Sequence, residues 1–305
     1  MLIRNEEGVR WLPLGVAAAA VAVVGFLAYQ RWWPHDSTTQ VSVDQVLDRY
    51  RDGMGTAPAA PVPPVVEPVV TTEPATVVEP VETTSPAPAP VTEPAATTEP
   101  PAPLTLPSAG VYLYATEGRE HVTALGGTEH IYPAETTITV TPNGCGVHLR
   151  WDLLAERYEE WNLCVDDGAI TLQPTGVQFH QFFGQSQTDV SECRATVPLN
   201  PPPAEGTAIG RNCRLASERW NPVWTAGPAG TATVGGVEVT TTTFDVAITL
   251  DGDYPEHSTQ HWELGPDGLP VAITWNMESA NPSPVGSVTY TETITATLTS
   301  LDPLS

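Results

Sequence analysis

Two pairs of histidines have the side chains that could bind a metal ion or move a proton. The first pair is His257 and His261, with Glu256 and Glu263 beside it. On a helix, residues four apart share a face and could ligate one ion, but the surrounding residues predict a strand. On a strand the two imidazoles lie roughly 13 Å apart, too far for one ion with bonds of about 2 Å.

The second pair, His121 and His130, is the better metal candidate. A two-residue turn at Gly126-Gly127 would pair His121 with Tyr132 and place both imidazoles on one face as diagonal neighbours. The sequence shows no third ligand beside them, so surface histidines in water are the alternative. No motif of a serine hydrolase, zinc protease, phosphate-binding loop or dinucleotide fold occurs, and we expect neither catalytic residues nor a cofactor.

The four cysteines predict two disulfide bonds. Their number is even and no C-x-x-C pair occurs, which favours disulfides over structural zinc, with reduced core thiols as a further alternative. We expect Cys145 to pair with Cys164, because a hairpin with a four-residue loop at 153–156 places them directly opposite. Cys193 would then pair with Cys213.

Large aromatic side chains are the candidates for ligand contacts. Trp220 and Trp224 flank Asn221-Pro222, a predicted turn, and loops that hold large aromatic side chains often make contacts. Phe182 and Trp262 are further candidates to line an apolar cleft. The alternative is that these side chains build the core and cover the ends of a sheet.

The charge balance excludes one class of function. The chain has 36 acidic residues against 12 basic ones, and its net charge is -24. All the basic residues are arginines. Such a chain repels a phosphate backbone, so we expect no binding to nucleic acid.

The N-terminal residues predict a membrane anchor. Residues 11–29 hold no charge and span roughly 28 Å as a helix, close to the thickness of a bilayer. Aromatic residues lie at both ends, so we predict a single transmembrane helix with its interface over 11–33. Residues 1–10 would be cytoplasmic and the rest extracellular, at the plasma membrane. A cleaved signal peptide is the alternative.

Two segments are predicted to connect this anchor to the folded part. Ser42 and Gln45 have the spacing of a capping box, and an apolar stripe at helical spacing predicts a short amphipathic helix over 41–53. Its apolar stripe would lie on lipid or dock on a partner. Residues 54–108 are rich in Pro, Thr and Glu, and we predict a disordered, extended stalk.

Residues 109–305 read as an all-β domain. Alternating apolar residues, many Thr and Val residues and repeated Gly-containing turns indicate strands throughout. The fold class we predict is one large curved antiparallel sheet, a half-barrel or a barrel-like form. The domain is long enough to bury about 70% of its unfolded surface.

A ten-residue segment, WELGPDGLPV at 262–271, resembles a hairpin of the LolA-like and LppX-like lipoprotein-carrier half-barrels. The resemblance implies that the concave face of the sheet holds an acyl chain or a similar apolar ligand. The layout of anchor, stalk and Trp-rich β domain also resembles membrane-anchored ectodomains of actinobacteria.

These observations predict a non-catalytic module of the cell envelope, held on a stalk. It would bind a lipophilic or envelope ligand, or a partner protein. One alternative is a structural or assembly scaffold that acts through the 41–53 helix, and another is an envelope hydrolase. The three differ in what the sheet encloses: an apolar cavity, a filled core, or a cleft with histidines and carboxylates.

Overall fold

The computed structural model describes residues 38–56, 104–183, 185–215, 218–250, 255–283 and 286–304. The predicted anchor at 11–33, the tail at 1–10 and most of the predicted stalk lie outside these residues. Within the described ranges, no helix is both long and apolar enough to cross a membrane.

The described residues form one helix, a short 3-10 turn at Ala124–Gly126 and sixteen strands. The helix is α1 (Val43–Thr56). The strands are β1 (Gly110–Val122), β2 (Thr128–Ile131), β3 (Glu135–Pro142), β4 (Gly146–Leu154), β5 (Arg157–Asp166), β6 (Ala169–Phe182), β7 (Gln185–Cys193), β8 (Val197–Asn200), β9 (Ala208–Gly210), β10 (Cys213–Leu215), β11 (Glu218–Trp220), β12 (Val223–Val234), β13 (Val237–Leu250), β14 (Glu256–Leu264), β15 (Pro270–Ser283) and β16 (Gly286–Leu298).

All sixteen strands belong to one antiparallel sheet. Its order is β11-β10-β7-β6-β5-β4-β3-β1-β16-β15-β14-β13-β12-β9, while β2 pairs with β1 and β8 pairs with β6. Alternate residues of the strands point to a common apolar core, as on β13, where Phe244, Val246 and Ile248 are buried. The predicted all-β class with one curved antiparallel half-barrel sheet is confirmed.

The two edges of the sheet lie close together. β9 and β11 are at opposite edges, yet only Arg211 and Asn212 separate β9 from β10. Three Cα steps span at most about 11 Å, so the sheet must curl until its edges meet. The chain crosses again at Asn221-Pro222, and backbone N–H groups of Arg211 and Asn212 donate to Pro222 O (3.1 Å) and Asn221 Oδ1 (2.9 Å). We call residues 211–212 and 221–222 the seam.

The predicted short helix is present as α1, and its apolar stripe packs on the chain's own sheet. Ser42 and Gln45 form the capping box, with backbone to side-chain hydrogen bonds of 3.0 and 3.2 Å. Val46 is buried against β1 and β3, and Arg49 pairs with Asp152 of β4 at 3.1 Å. The sequence predicted lipid or a partner as the docking surface. The reason is that the pattern of a strand does not show that the chain's own sheet offers a surface to the helix.

The structure differs from the predicted stalk at both of its ends. α1 continues to Thr56, past the predicted boundary at 53. Leu104 and Leu106 pack against the hydrophobic core and Pro107 is buried, so the folded part begins by Leu104 rather than at 109. These two leucines look like part of the low-complexity segment in the sequence, and only the core of the sheet gives them a partner.

The β4–β5 hairpin has a register one residue away from the predicted one. Gly146, not Cys145, lies opposite Cys164. The reason is that the turn consists of Ala155-Glu156 with a bulge in β4, instead of four residues. The Cα atoms of Cys145 and Cys164 are still 5.0 Å apart, which a disulfide can bridge. Both predicted disulfides are present, Cys145–Cys164 and Cys193–Cys213.

The turn between β14 and β15 packs into one end of the half-barrel. The N–H of Gly265 donates to Leu269 O at 2.8 Å, and Gly268 has φ +83°. A Cβ atom on Gly268 would lie 3.0 Å from Leu163 Cδ1 and 3.2 Å from Ile170 Cγ2. Glycine is therefore required at 268 both by the backbone and by the close neighbours.

We expect Gly268→Ala to lower the free energy of unfolding by about 2–4 kcal/mol, since a left-handed backbone costs about 1–2 kcal/mol and overpacking adds to it. Urea denaturation measures this. Gly236→Ala is the matched control, because Gly236 has φ +85° with nothing near its Cβ position. An equal loss in both variants would contradict the contribution from packing.

Candidate functional site

A cavity lined by tryptophans lies inside the half-barrel, beside the seam. Its volume is about 120 Å³, and a smaller cavity of about 70 Å³ shares several of its walls. Apolar side chains of β13, β14 and β15 complete the walls. Six of the nine tryptophans of the chain line the larger cavity: Trp151, Trp161, Trp220, Trp224, Trp262 and Trp275.

The aromatic walls pack on one another. Trp262 lies 5.7 Å from Trp161 in a perpendicular arrangement and 5.7 Å from Trp224, ring centre to ring centre. Trp224 in turn lies 5.8 Å from Phe244. Such pairs stabilise each other by about 0.5–1.5 kcal/mol beyond the burial of their area. The cavity therefore has walls held by aromatic contacts from four different strands.

Three indole N–H groups at this cavity have no hydrogen-bond acceptor among the described residues: those of Trp220, Trp224 and Trp275. Trp224 and Trp275 are only 5% and 4% exposed. By contrast, the indoles of Trp151 and Trp262 donate to neighbouring side chains at 3.0 and 2.8 Å. A buried donor without an acceptor costs about 1–3 kcal/mol, so each of these indoles would be stabilised by an acceptor that reaches it.

Arg211 brings a positive charge to the same cavity. Its Nη2 donates to Gln173 O at 2.6 Å and its Nε to Ala195 O at 3.4 Å. No carboxylate of the described chain forms an ion pair with it. Burial lowers the pKa of Arg211 to about 10, so the group is still charged near neutral pH.

The carboxylates that line the cavity have other partners. Glu159 accepts from Arg157 at 2.5 Å, and Glu160 accepts from Arg150 at 2.6 Å. Asp189 accepts from an exposed glutamine of its own strand. Of the charged side chains described at the cavity wall, Arg211 is therefore the one that forms hydrogen bonds only with backbone carbonyl groups.

A buried ionic cluster adjoins the cavity on the same face of the sheet. Arg157 is at its centre, 5.6 Å from the ring of Trp275. Its guanidinium donates to Glu292 at 3.2 Å and to Glu159 at 2.5 Å. Burial raises the pKa of Glu159 to about 7, against the opposing effect of Arg157. The single positive charge of Arg157 faces the two carboxylates of Glu159 and Glu292. Protonation of one carboxylate removes the excess negative charge.

The cluster also contains an imidazole and carboxylate pair. His130 Nδ1 lies 2.8 Å from Glu120, and the hydroxyl of Tyr290 donates to the same carboxylate at 2.8 Å. Burial alone would raise the pKa of Glu120, but hydrogen bonds with His130 and His180 and the charge of Arg157 lower it to about 2. Such a pair could act as acid and base. Glu120 and His130 are only 1% exposed and lie outside the lining of the cavity, where they join β1, β2 and β16.

The structure brings together three of the four aromatic residues chosen from the sequence. Trp220, Trp224 and Trp262 all line the cavity. Phe182 does not, because its ring stacks on His130 at 4.6 Å in the ionic cluster.

The predicted register of His121 and His130 is wrong. His130 lies opposite Glu120 and His121 lies opposite Glu129, because residues 123–127 form a longer loop with a 3-10 turn. The two imidazoles therefore lie on opposite faces of the sheet and cannot share an ion. In the described ranges, no group of three His, Cys, Asp or Glu side chains is placed to hold a metal.

Sequence reasoning missed Trp151, Trp161 and Arg211 as cavity residues. One signal in the sequence could have led to Arg211. Four of the seven arginines after residue 109 fall within 194–219: Arg194, Arg211, Arg214 and Arg219.

Comparison with protein-family models, with curated proteins and with solved structures finds no match to this chain. The class of protein is therefore defined by its own fold and site: a curved antiparallel half-barrel with a tryptophan-lined cavity. The resemblance of 262–271 to lipoprotein carriers stays a prediction.

Proposed function

We propose that this protein is a non-catalytic module of the cell envelope that binds a lipophilic ligand in the tryptophan-lined cavity. The predicted anchor and stalk would hold the half-barrel outside the plasma membrane. Two disulfides support an oxidising compartment for the domain.

The observation that carries this proposal is an apolar cavity with three unpartnered indole donors. Apolar walls favour a hydrocarbon part, and the indoles favour an acceptor atom on the same molecule. The volume of about 120 Å³ resembles that of an engineered cavity of about 150 Å³ that binds benzene. A ring or a short alkyl chain therefore fits, and a longer chain would reach the adjoining 70 Å³.

Two observations weigh against the scaffold alternative. That alternative requires a filled core, whereas this sheet encloses a cavity. It also requires the apolar stripe of α1 to be free for a partner, whereas Val46 is buried on the chain's own sheet.

Photolabelling tests the proposal. The full chain, in nanodiscs of phosphatidylcholine, is irradiated with an octanol that carries a diazirine, and labelled residues are mapped by peptide mass spectrometry. We expect label on peptides of β13, β14 and β15 that line the cavity, and protection by excess octanol. Label on exposed surfaces alone, or label in the cavity without protection, would contradict the proposal.

A matched pair of variants on β13 sharpens this test. Val246 is buried at the cavity wall, whereas Val237 on the same strand is 53% exposed. We expect Val246→Phe to fill the cavity and reduce the protected label about 10-fold, the effect of about 1.4 kcal/mol in affinity. Val237→Phe adds the same ring outside the cavity and should leave the label unchanged.

A further inference from the structure

We infer that the ligand is an anionic amphiphile, and that Arg211 at the seam binds its charged end with help from the arginines around the seam. This inference rests on the proposed function and adds the chemical class of the ligand. The apolar part would lie in the tryptophan-lined cavity, and the anion would lie where that cavity meets the seam.

The first argument is the distribution of charge. The chain as a whole is strongly acidic, with a net charge of -24. The segment 194–219 is the reverse, because it holds four arginines and only two acidic residues, Glu205 and Glu218. A local positive field in an acidic protein attracts an anion and orients it.

The second argument is an unfavourable pairing of like charges. Arg214 and Arg219 lie directly opposite each other on β10 and β11, an arrangement that destabilises a sheet. With Arg194 they line an open cleft of about 680 Å³ beside the seam. Glu192 lies opposite Arg214 on the other side and lines the same cleft, but it forms no ion pair with these arginines in the described part of the chain. A bound anion would relieve the repulsion.

The third argument is that the arginines lie next to the cavity. Trp220 lines both the cavity and the cleft. The side chains of Arg214 and Arg219 alternate with those of Cys213 and Trp220, so they lie on the other face of the sheet and act on the cavity through their charge. Arg211 enters the cavity near Gln173 of β6, whereas Glu159 lies opposite Gln178. Residues 172–178 of β6 contain a bulge and lie opposite only 159–163 of β5, so these levels are separated by at most roughly 13 Å. The cavity is therefore positive at the seam and holds its paired carboxylates at a distance.

The fourth argument is the set of donors. Arg211 spends two hydrogen bonds on the carbonyls of Gln173 and Ala195, and a guanidinium carries five N–H donors. The remaining donors of Arg211 suit the oxygens of a carboxylate, sulfonate or phosphate ester. A cationic or purely neutral ligand would leave Arg211 without an anion in a desolvated position.

Competition in the photolabelling experiment tests this inference. Octanoate, octanol, octyltrimethylammonium and acetate are compared at equal free aqueous concentrations at neutral pH. We expect octanoate to protect the cavity at about 10- to 100-fold lower concentration than octanol, the range for a hydrogen bond to a charged group. The cationic amphiphile and acetate should not protect, because one repels Arg211 and the other lacks the apolar part.

Substitutions at the arginines identify the group responsible. We expect Arg211→Met to abolish the preference for octanoate and leave protection by octanol unchanged, and Arg211→Lys to retain part of the preference. Arg119→Gln is the control, because Arg119 is exposed on β1 and pairs with Glu129. Arg214 and Arg219 are exposed, and the double variant Arg214→Gln and Arg219→Gln should weaken protection by octanoate while leaving protection by octanol unchanged.

The outcomes separate the two proposals. Protection by octanol and octanoate at equal concentrations would overturn the anionic ligand and leave the lipophilic site standing. Protection by neither would overturn the proposed function itself, and protection by acetate would indicate a site for small anions without an apolar part. If octanol no longer protects the Arg211→Met variant, that variant has lost its cavity. The preference for octanoate is then tested with the double variant Arg214→Gln and Arg219→Gln, whose positions are exposed.

Discussion

Replacing Arg157 by methionine is expected to lower the free energy of unfolding by about 3–5 kcal/mol, the range found when one partner of a buried ion pair is removed. The side chains of Arg157 and Glu292 are completely buried, and Glu159 is nearly so. Without the guanidinium, Glu292 is left in the interior without a cation, while Glu159, whose pKa is already raised to about 7, becomes protonated. Denaturation in urea at neutral pH, followed by far-ultraviolet circular dichroism, measures the loss.

Two further variants show whether the loss comes from the uncompensated charges. Arg150→Met removes a partly exposed arginine that pairs with Glu160 and Asp152, and it should cost only about 1 kcal/mol. Adding Glu292→Gln to Arg157→Met removes one stranded charge and should restore part of the stability. If Glu292→Gln lowers the free energy of unfolding by the same amount in the Arg157→Met background as in the wild type, this explanation is contradicted.

The free energy of unfolding is expected to fall as the pH rises from about 4.5 to about 7. Burial raises the pKa of Glu159 from 4.5 to about 7, so the folded protein holds this proton more tightly than the unfolded chain. A raised carboxyl pKa stabilises the fold below the unfolded value, and this stabilisation is lost as the pH passes through the folded value. The loss amounts to about 3 kcal/mol at most, at about 1.4 kcal/mol for each unit of pKa.

Glu120 produces the opposite trend at lower pH. Its pKa is lowered to about 2, so its contribution to stability is present above 4.5 and is lost as the pH falls toward 2. Together the two carboxylates place the maximum stability near pH 4.5. Urea denaturation at a series of pH values measures the profile.

A variant of Glu159 identifies the source of the trend above pH 5. Glu159→Gln keeps a neutral side chain of similar shape at all pH values, so we expect its profile to be flat between about 5 and 7. Glu238→Gln is the control, because Glu238 is exposed on β13 and its loss should leave the slope unchanged. The same slope in wild type and Glu159→Gln would show that another group titrates there.

Local patterns were sufficient for several elements. The capping box of Ser42 and Gln45 lies within one helical turn, and it placed the start of α1 to within two residues. Cys145 and Cys164 are 19 residues apart on consecutive strands, so their pairing survived an error of one residue in the register. Turn residues and alternation likewise predicted an all-β fold, because both depend on neighbours along the chain.

Register was less predictable than strand content. The turn at Ala155-Glu156 and the 3-10 turn at Ala124–Gly126 each differed in length from the turn that the sequence indicated. A change of one or three positions exchanges the faces of a strand, which is how His121 and His130 came to lie on opposite sides. Turn length is decided by packing around the turn, which a single sequence does not display.

The sequence by itself determined the all-β class, the two disulfide pairs, the helix before the domain and three of the aromatic residues at the cavity. Only the tertiary structure decided that the sheet curls until its edges meet at 211–212 and 221–222. That closure brings Arg211 and Trp220 from the edges of the sheet to Trp275 of β15. The physical reason is that a cavity in a curled sheet is built from strands far apart in the chain, and their order and curvature depend on the packing of the whole sheet.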